Sequence, residues 1–216
     1  MKHVSGLTGL SPVTRRGNRV ATHIHLVRHS HHSLLHSVLC GRMPGVRLDE
    51  LGCTQMETVA DSISRIGPCS LQSSPQSRAL QSAGIVAARC GLAVEIVPAF
   101  DEIDMGAWTG VEFSRLALDE GWRRWNEKRG SARPPDGESM VELQTRVVAH
   151  IQQLKPLGGP VVIVSHAEPI RAAVMHYLGW PLDDFHSVAI DPASVSTISL
   201  EGSRGRVARL NGEVSA

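Results

Sequence analysis

The sequence contains no apolar run long enough to cross a membrane, so we expect neither a membrane protein nor a membrane partner. Its first residues, Met-Lys-His, lack the apolar segment of a signal peptide, which favours a cytoplasmic protein over a secreted one. Cysteine is scarce, and none of the Cys-x-x-Cys spacings that bind zinc is present. The cysteines, which we expect to be reduced thiols mostly in or near the core, are at positions 40, 53, 69 and 90.

Neither sign of charge is in excess. Lys plus Arg number 22 and Asp plus Glu 21, for a formal net charge of +1, which disfavours nucleic acid as a partner but permits a local anion pocket. The 216 residues, 42% of them hydrophobic, suffice for one large domain with its own core. We expect that domain over residues 22–211, preceded by a flexible leader over 1–21 and followed by a tail over 212–216.

Strand and helix patterns alternate along the chain, as is typical of α/β proteins. Asp49, Ser74 and Ser139 are predicted helix N-caps, Pro75 suits the first position of a helix and Gly91 suits a helix end. Strands are predicted at about 23–27, 69–72, 94–97, 160–164, 187–190, 195–200 and 206–210. Helices are predicted at about 50–66, 75–90, 111–128, 140–154 and 169–178.

Polar side chains follow several of the predicted strands. Arg28 and His29 come after the first strand and His166 after the fourth, while Arg78 lies in the first turn of the helix after the second. Because ligands of open α/β sheets bind beyond the carboxyl ends of strands, we expect His29 and His166 to share one cleft. A neutral imidazole can attack phosphorus and guanidinium groups can hold phosphate oxygens. An acidic loop that includes Glu102 could place one carboxylate over such a pocket.

Five short segments, in this order along the chain, carry a family resemblance. Residues 26–30 match the strand end L-V-R-H-G, and residues 73–83 match S-S-P-x-x-R-A-x-Q-T-A. Residues 100–110 match the acidic pattern L-x-E-x-x-x-G-x-W-x-G, residues 135–139 match P-x-G-E-S, and residues 164–167 match V-S-H-G. With these motifs the chain resembles the histidine phosphatase superfamily, the phosphoglycerate mutase-like proteins.

The resemblance implies a fold and a mechanism. The fold is an α/β three-layer sandwich, a mostly parallel central sheet flanked by helices. His29 would be the nucleophile that becomes phosphohistidine, Arg28, Arg78 and His166 would bind the phosphoryl oxygens, and Glu102 would protonate the leaving oxygen and later activate water. No metal ion or other cofactor is expected, because the arginines and the histidine supply the positive charge. The expected activity is that of a metal-independent phosphomonoesterase of the histidine acid phosphatase type.

Some positions depart from the family pattern. Ser30 and Ala167 stand where glycine is usual, and both are candidate substrate-binding residues. Leu35 stands where the family often has an asparagine that contacts phosphate, which an apolar side chain cannot do. Arg42, or one of the two histidines after Ser30, is a candidate to supply that contact.

Three alternatives remain open at this point. A mutase would share the first step but return the phosphoryl group to the product, although the stretch after residue 110 lacks the sequence typical of mutases. A non-catalytic protein would only bind phosphorylated ligands, against which the intact His29 and Glu102 argue. The histidines clustered over residues 23–36 could bind a metal ion, although their spacing fits no standard pattern. The expected partner is a small phosphorylated substrate or a phosphoprotein, and the sequence fixes neither the substrate nor the oligomeric state.

Overall fold

A mixed six-stranded sheet lies at the centre of the computed structural model, which describes residues 21–154, 159–201 and 204–212. The spatial order of the strands is β3-β2-β4-β1-β5-β6. The first four of these run parallel, while β5 and β6 add an antiparallel edge, so the sheet is mostly parallel as predicted. In chain order the strands are β1 Thr22–Arg28, β2 Ser70–Ser73, β3 Val94–Ile96, β4 Val161–Ser165, β5 Val195–Glu201 and β6 Arg204–Gly212.

Helices cover both faces of this sheet. They are α1 Glu50–Arg65, α2 Ser77–Cys90, α3 Phe113–Leu116, α4 Glu120–Glu127, α5 Met140–Gln153 and α6 Ala167–Leu178. Short 3₁₀ turns lie at Pro98–Phe100, Gly106–Trp108 and Leu182–Ser187.

The residues of β4 show how the layers are built. All five are buried, and successive side chains point to opposite faces of the sheet. Val161 and Ile163 pack into a hydrophobic cluster with α5 and α6, whereas Val162 and Val164 pack into a second cluster with α1 and α2. A strand buried on both faces reads as a continuous apolar run, which is what the sequence contains here. The predicted three-layer sandwich is therefore confirmed.

Several helix ends form as predicted. The side chain of Asp49 accepts a hydrogen bond from the backbone N–H of Gly52 at 2.9 Å and caps α1. Ser139 and Glu142 form a capping box at the start of α5. Gly91 follows α2 with φ +68°, a left-handed conformation that glycine adopts without strain.

The predicted start of the second helix is wrong. The helix begins at Ser77, its N-cap is Gln76 without a capping side chain, and Pro75 precedes it. Ser74 does not cap the helix because its hydroxyl is engaged elsewhere, 2.7 Å from Nε2 of His166. The same hydroxyl also accepts from the backbone N–H of Gln76 at 3.3 Å, which is the N-cap residue and not the first turn of the helix.

Two further element predictions are wrong. The helix predicted over 111–128 is divided into α3 and α4, because the side chain of Asp119 accepts from the N–H of Trp122 and begins a new helix there. The strand predicted at 187–190 does not form, since a 3₁₀ turn occupies Leu182–Ser187. The backbone carbonyl of Ile190 instead accepts a hydrogen bond from Arg28.

The remaining predictions concern the chain ends, membrane-spanning segments and cysteines. All but one residue of the predicted leader lie outside the described residues, as do residues 213–216 of the predicted tail, whereas Gly212 ends β6. None of the helices in the described ranges is long and apolar enough to span a bilayer. All four cysteines are unpaired; Cys40 is buried, Cys53 and Cys90 are half-buried, and Cys69 is exposed, which differs from the prediction for that residue alone.

Candidate active site

The parallel pairing of β1 with β4 brings the two predicted histidines together. Arg28 pairs with Ser165 at the last position of the ladder, so the next residue of each strand emerges at the same edge of the sheet. The backbone N–H of His29 donates to the Ser165 carbonyl at 2.9 Å. The ring centroids of His29 and His166 are 5.0 Å apart, so the two rings are neighbours as predicted; His29 lines the cleft, and His166 lies buried beside it.

Hydrogen bonds orient the imidazole of His29, which is only 3% exposed. Its Nδ1 is 2.9 Å from the carbonyl oxygen of Ser30, and only a protonated nitrogen can donate to a carbonyl. Nε2 then carries the lone pair, and it accepts a bond from Nε of Arg78 at 3.2 Å. Burial, followed by the charges of Arg78 and Arg28, holds the pKa of His29 well below 6.5, so the ring is neutral. The ring is therefore a neutral imidazole with its free lone pair on Nε2.

The ring of His166 is completely buried. Its Nε2 is 2.7 Å from the hydroxyl of Ser74, while its Nδ1 has no hydrogen-bond partner among the described residues. The hydroxyl also lies 3.3 Å from Oδ1 of Asp101, and we assign its proton to the shorter contact with Nε2. Nδ1 then carries the N–H of the ring and can donate a hydrogen bond to a ligand oxygen. Burial and the nearby Arg78 hold the pKa of His166 well below 6.5, so this ring is neutral as well.

The two predicted arginines each keep one nitrogen for a ligand. Nη1 of Arg28 donates to the carbonyl of Ile190 at 2.6 Å, and Nη2 of Arg78 donates to the carbonyl of Gly41 at 2.8 Å. In contrast, Nε of Arg28 and Nη1 of Arg78 are buried and have no partner among the described residues. Buried donors of this kind are rare in proteins and call for a partner. Together with Nδ1 of His166 they form a set of three donors suited to phosphate oxygens.

Glu102 is the carboxylate of the acidic loop that lines the cleft. Its Oε1 accepts from the N–H of Ile103 at 2.8 Å. Asp101 instead accepts from Gln76 at 2.9 Å, and Asp104 accepts from the N–H of Gly106 at 2.9 Å, so both are engaged within the loop region. Burial raises the pKa of Glu102 to about 7, helped by a nearby carboxylate and opposed by Arg78 and Arg28. A group with this pKa can give and take a proton near neutral pH.

The structure does not bring Arg42 to the cleft. Its Nε donates to the backbone carbonyl of Glu102 at 2.8 Å, and its Nη2 donates to Glu138 at 3.0 Å. Arg146 repeats the arrangement, since it donates to the Glu102 carbonyl at 3.2 Å and to both oxygens of Glu138. The two arginines therefore hold the acidic loop from behind and fix the backbone that carries the Glu102 side chain.

The other candidate substrate-binding residues lie close to the histidines. Ala167 lines the cleft at the start of α6. Ser30 is fully buried, and its hydroxyl has no partner among the described residues. Leu35 does line the cleft, so an apolar side chain occupies that part of the wall.

The histidines of residues 23–36 contact different partners. Nδ1 of His25 is 3.0 Å from the hydroxyl of Thr197, and Nδ1 of His31 is 2.6 Å from a carboxylate oxygen of Asp49. Across the part of the chain that the structure describes, no three His, Cys, Asp or Glu side chains gather as ligands of a metal ion would. The metal-binding alternative thus finds no assembled site within the described ranges.

Sequence reasoning missed the far half of the cleft. There the wall contains two aromatic side chains, Phe113 and Trp122, and three charged ones, Arg129, Glu168 and Arg171. The spacing of Glu168 and Arg171, three positions apart on one helix, predicts only an ion pair. Nothing local in the sequence places Arg129 beside that pair, because the contact joins a loop after α4 to the first turn of α6.

Comparison with known proteins shows the family to which this chain belongs. The sequence model of the histidine phosphatase superfamily, branch 1, matches residues 24–213. The chain belongs to the histidine phosphatase superfamily.

Relatives within this superfamily include phosphatases and mutase-like proteins. Phosphoserine phosphatase 1 of Hydrogenobacter thermophilus is 33% identical over 168 residues, which cover 76% of this chain and 80% of that protein. A probable phosphoglycerate mutase of an Enterobacter species is 32% identical over 172 residues, which cover 76% of this chain and 80% of that protein. A solved structure of mycobacterial glucosyl-3-phosphoglycerate phosphatase is 25% identical with a TM-score of 0.78 and covers 89% of this chain and 100% of that one.

We expect Arg78→Ala to weaken binding of inorganic phosphate or vanadate to this chain by about 10–100-fold, because a charge-assisted donor is lost. Calorimetric titration measures the effect. Arg89→Ala is the matched control on the same helix, since Arg89 is exposed and pairs with Asp61 on the surface. Unchanged phosphate affinity in Arg78→Ala would place that guanidinium outside the phosphate site.

Proposed function

We propose that this chain hydrolyses a phosphate monoester through a phosphohistidine formed on His29, without a metal ion. The observation that supports it most is the orientation of Nε2 of His29, whose lone pair lies among three buried, unpartnered donors. Arg28 and Arg78 supply the positive charge that would otherwise have to come from a metal ion.

In the first step Nε2 of His29 attacks phosphorus, and the bond between phosphorus and the ester oxygen breaks. The proton on the Glu102 carboxyl passes to that oxygen, so the alcohol leaves neutral. Donors on Arg28, Arg78 and His166 hold the three equatorial oxygens, where negative charge is concentrated. The N–H of Nδ1, fixed on the Ser30 carbonyl, stabilises the positive charge that forms on the ring.

In the second step water attacks the phosphohistidine and the N–P bond breaks. Glu102, now a carboxylate, takes the proton of that water and returns to its starting form. Inorganic phosphate leaves, and Nε2 regains its lone pair. The roles of acid and base thus fall on one group whose pKa of about 7 suits both.

A mutase is the second candidate, because a relative 32% identical carries that name as a probable function. The two functions share the phosphohistidine and differ only in the acceptor of the phosphoryl group. Release of inorganic phosphate from phosphoglycerate supports the hydrolase. Conversion of one phosphoglycerate isomer to the other without phosphate release supports the mutase instead.

Trapping the intermediate tests the mechanism directly. The wild-type chain is mixed with an aryl phosphate and quenched in alkali, in which phosphohistidine survives, and the digested peptides are analysed by mass spectrometry. We expect the phosphoryl group on His29. A phosphoryl group on any other residue, or full activity that disappears on addition of a chelator, would contradict the proposal.

The pH dependence should report the proton on Glu102. As an acid, Glu102 acts while it is protonated, so its help is present below pH 7 and is lost as the pH rises through about 7. We expect the ratio of kcat/KM for an alkyl phosphate to kcat/KM for p-nitrophenyl phosphate to fall above that pH. Dividing by the aryl value removes effects common to both substrates, such as a change in the phosphate site itself. A ratio independent of pH would contradict this role of Glu102.

A further inference from the structure

The charges that line the cleft exceed what one phosphate group neutralises. Besides the arginines of the phosphate site, Arg28 and Arg78, the lining contains Arg129 and Arg171, and against them stands the carboxylate of Glu168. Burial alone would raise the pKa of Glu168, but Arg171 and Arg129 outweigh it and hold the pKa at about 2, so this group is ionised. With Glu102 protonated and the buried histidines neutral, the arginines outnumber the carboxylate by three. A phosphate dianion neutralises two of these charges and leaves one.

Arg129 is one of the two cations that line the cleft beyond the phosphate site. This side chain is only 4% exposed, and its guanidinium lies over the ring of Phe185, 3.7 Å from the ring centroid, with the ring of Trp125 on another side at 4.5 Å. Nη2 donates to Asn126 at 2.9 Å, and Nη1 forms an ion pair with Oε2 of Glu168 at 3.2 Å. Nε has no partner among the described residues. A buried guanidinium nitrogen without a partner at the wall of a cleft is suited to donate to an oxygen of an anionic ligand.

Glu168 is shared between two cations. Its Oε1 accepts from Nη1 of Arg171 at 2.6 Å, and Arg171 is fixed further by donating from Nε to the carbonyl of Val188 at 2.8 Å. One carboxylate therefore serves two guanidinium groups, and it cannot satisfy the donors of both. Arg129, Glu168 and Arg171 line the same cleft as Arg28 and His29, so one ligand in that cleft can contact both groups of charges.

We propose that Arg129, supported by Glu168 and Arg171, binds a carboxylate of the substrate, so that the physiological substrate is a small phosphate monoester that also bears a carboxylate group. This inference rests on the proposed function, because it assumes that the phosphate of the same molecule lies against His29. The apolar wall of the cleft, which includes Phe113 and Trp122, would contact the carbon atoms between the two anionic groups.

A pair of ligands that differ in one group tests this proposal. D-3-phosphoglycerate and sn-glycerol 1-phosphate have the same skeleton and the same configuration at the central carbon, and a carboxylate in the first is replaced by a hydroxymethyl group in the second. We expect phosphate release from the first to have a kcat/KM about 10–100-fold higher, the range for a charge-assisted contact. A ratio below about threefold in the wild-type chain would overturn the proposal without any variant.

Variants of Arg129 test whether this residue causes the preference for the substrate that bears a carboxylate. Arg129→Met should bring the ratio of the kcat/KM values for the two substrates close to one. Arg129→Lys keeps the charge but loses the planar guanidinium, so it should give an intermediate ratio. Arg133→Met is the matched control: this arginine follows in the same loop, is exposed, and pairs with Glu142 at 2.7 Å. If Arg129→Met fails to fold, the Arg129→Lys ratio decides alone, and a ratio equal to wild type would overturn the assignment.

A binding measurement separates this proposal from the proposed function. Calorimetry with the His29→Ala chain, which cannot turn over the ligands, compares the affinities of the same two molecules. Tighter binding of phosphoglycerate without phosphate release by the wild-type chain would support the carboxylate site and contradict the hydrolase. Equal affinities together with phosphate release from both ligands would support the hydrolase and contradict the carboxylate site.

Discussion

Replacing His29 by alanine should reduce turnover of any phosphate ester by at least about 10⁴-fold, since loss of an enzyme's nucleophile has costs of this order or larger. His32 is the other histidine near the reacting position, its ring centroid 5.4 Å from that of His29. Its ring is neutral as well, since burial and then Arg78 and Arg28 lower its pKa to about 4. Its Nδ1, however, has no hydrogen-bond partner among the described residues that would orient the ring as the Ser30 carbonyl orients His29, so we do not expect it to take over. Steady-state hydrolysis of p-nitrophenyl phosphate measures the loss.

The control for this variant lies on the same strand. His23 is exposed on β1, six residues before the nucleophile, so His23→Ala should keep wild-type activity. Phosphate binding gives a second check, since His29→Ala removes the nucleophile but leaves the three unpartnered donors in place. If His29→Ala hydrolysed the aryl phosphate within tenfold of the wild-type rate, phosphohistidine formation at this residue would be excluded.

Replacing Glu102 by glutamine should slow the release of an alkyl alcohol by about 10²–10⁴-fold, the usual contribution of a general acid. Release of p-nitrophenolate should change little in the same step, because that leaving group is stable as an anion. The comparison is made in a single turnover, in which appearance of the alcohol reports phosphorylation of the enzyme alone. Steady-state rates would mix in the second step, where Glu102 also activates water.

The neighbouring carboxylates are controls for this assignment. Asp101→Asn and Asp104→Asn remove a charge from the same loop, but both side chains are engaged in loop contacts rather than lining the cleft. We expect neither variant to show the difference between alkyl and aryl substrates. Equal slowing of both substrates in Glu102→Gln, or the alkyl-specific defect in Asp101→Asn, would assign the acid to another residue.

The residues of the phosphate site could be predicted because their positions follow from backbone geometry. His29 and His166 each come one residue after a buried parallel strand, and the pairing of those strands alone brings the two rings to one edge. Arg78 lies in the first turn of a helix that starts beyond the next strand of the sheet. The sequence pattern of these strands and of the residues that follow them is therefore sufficient to predict these positions.

Other parts of the site depend on contacts between distant segments. Ser74 has the sequence context of an N-cap, yet its hydroxyl contacts His166, 92 positions away. Arg42 was expected at the phosphate, but the carbonyl and carboxylate groups that it contacts belong to Glu102 and Glu138, far along the chain. Arg129 follows a helix whose end near residue 128 was predicted, but the carboxylate that it contacts belongs to Glu168, far along the chain. No local pattern specifies partners of this kind.

The hydrogen bond from Arg78 to Nε2 of His29 has a consequence for reactivity toward reagents other than substrates. In the ligand-free chain the lone pair of the nucleophile accepts an N–H at 3.2 Å, and the ring is almost inaccessible. A phosphate dianion draws the guanidinium to its own oxygens and so uncovers the nitrogen that attacks it. A neutral alkylating agent offers nothing to draw the arginine away, so His29 should resist such reagents despite being unprotonated at neutral pH. The nucleophile should therefore react with anionic phosphate esters and not with neutral electrophiles.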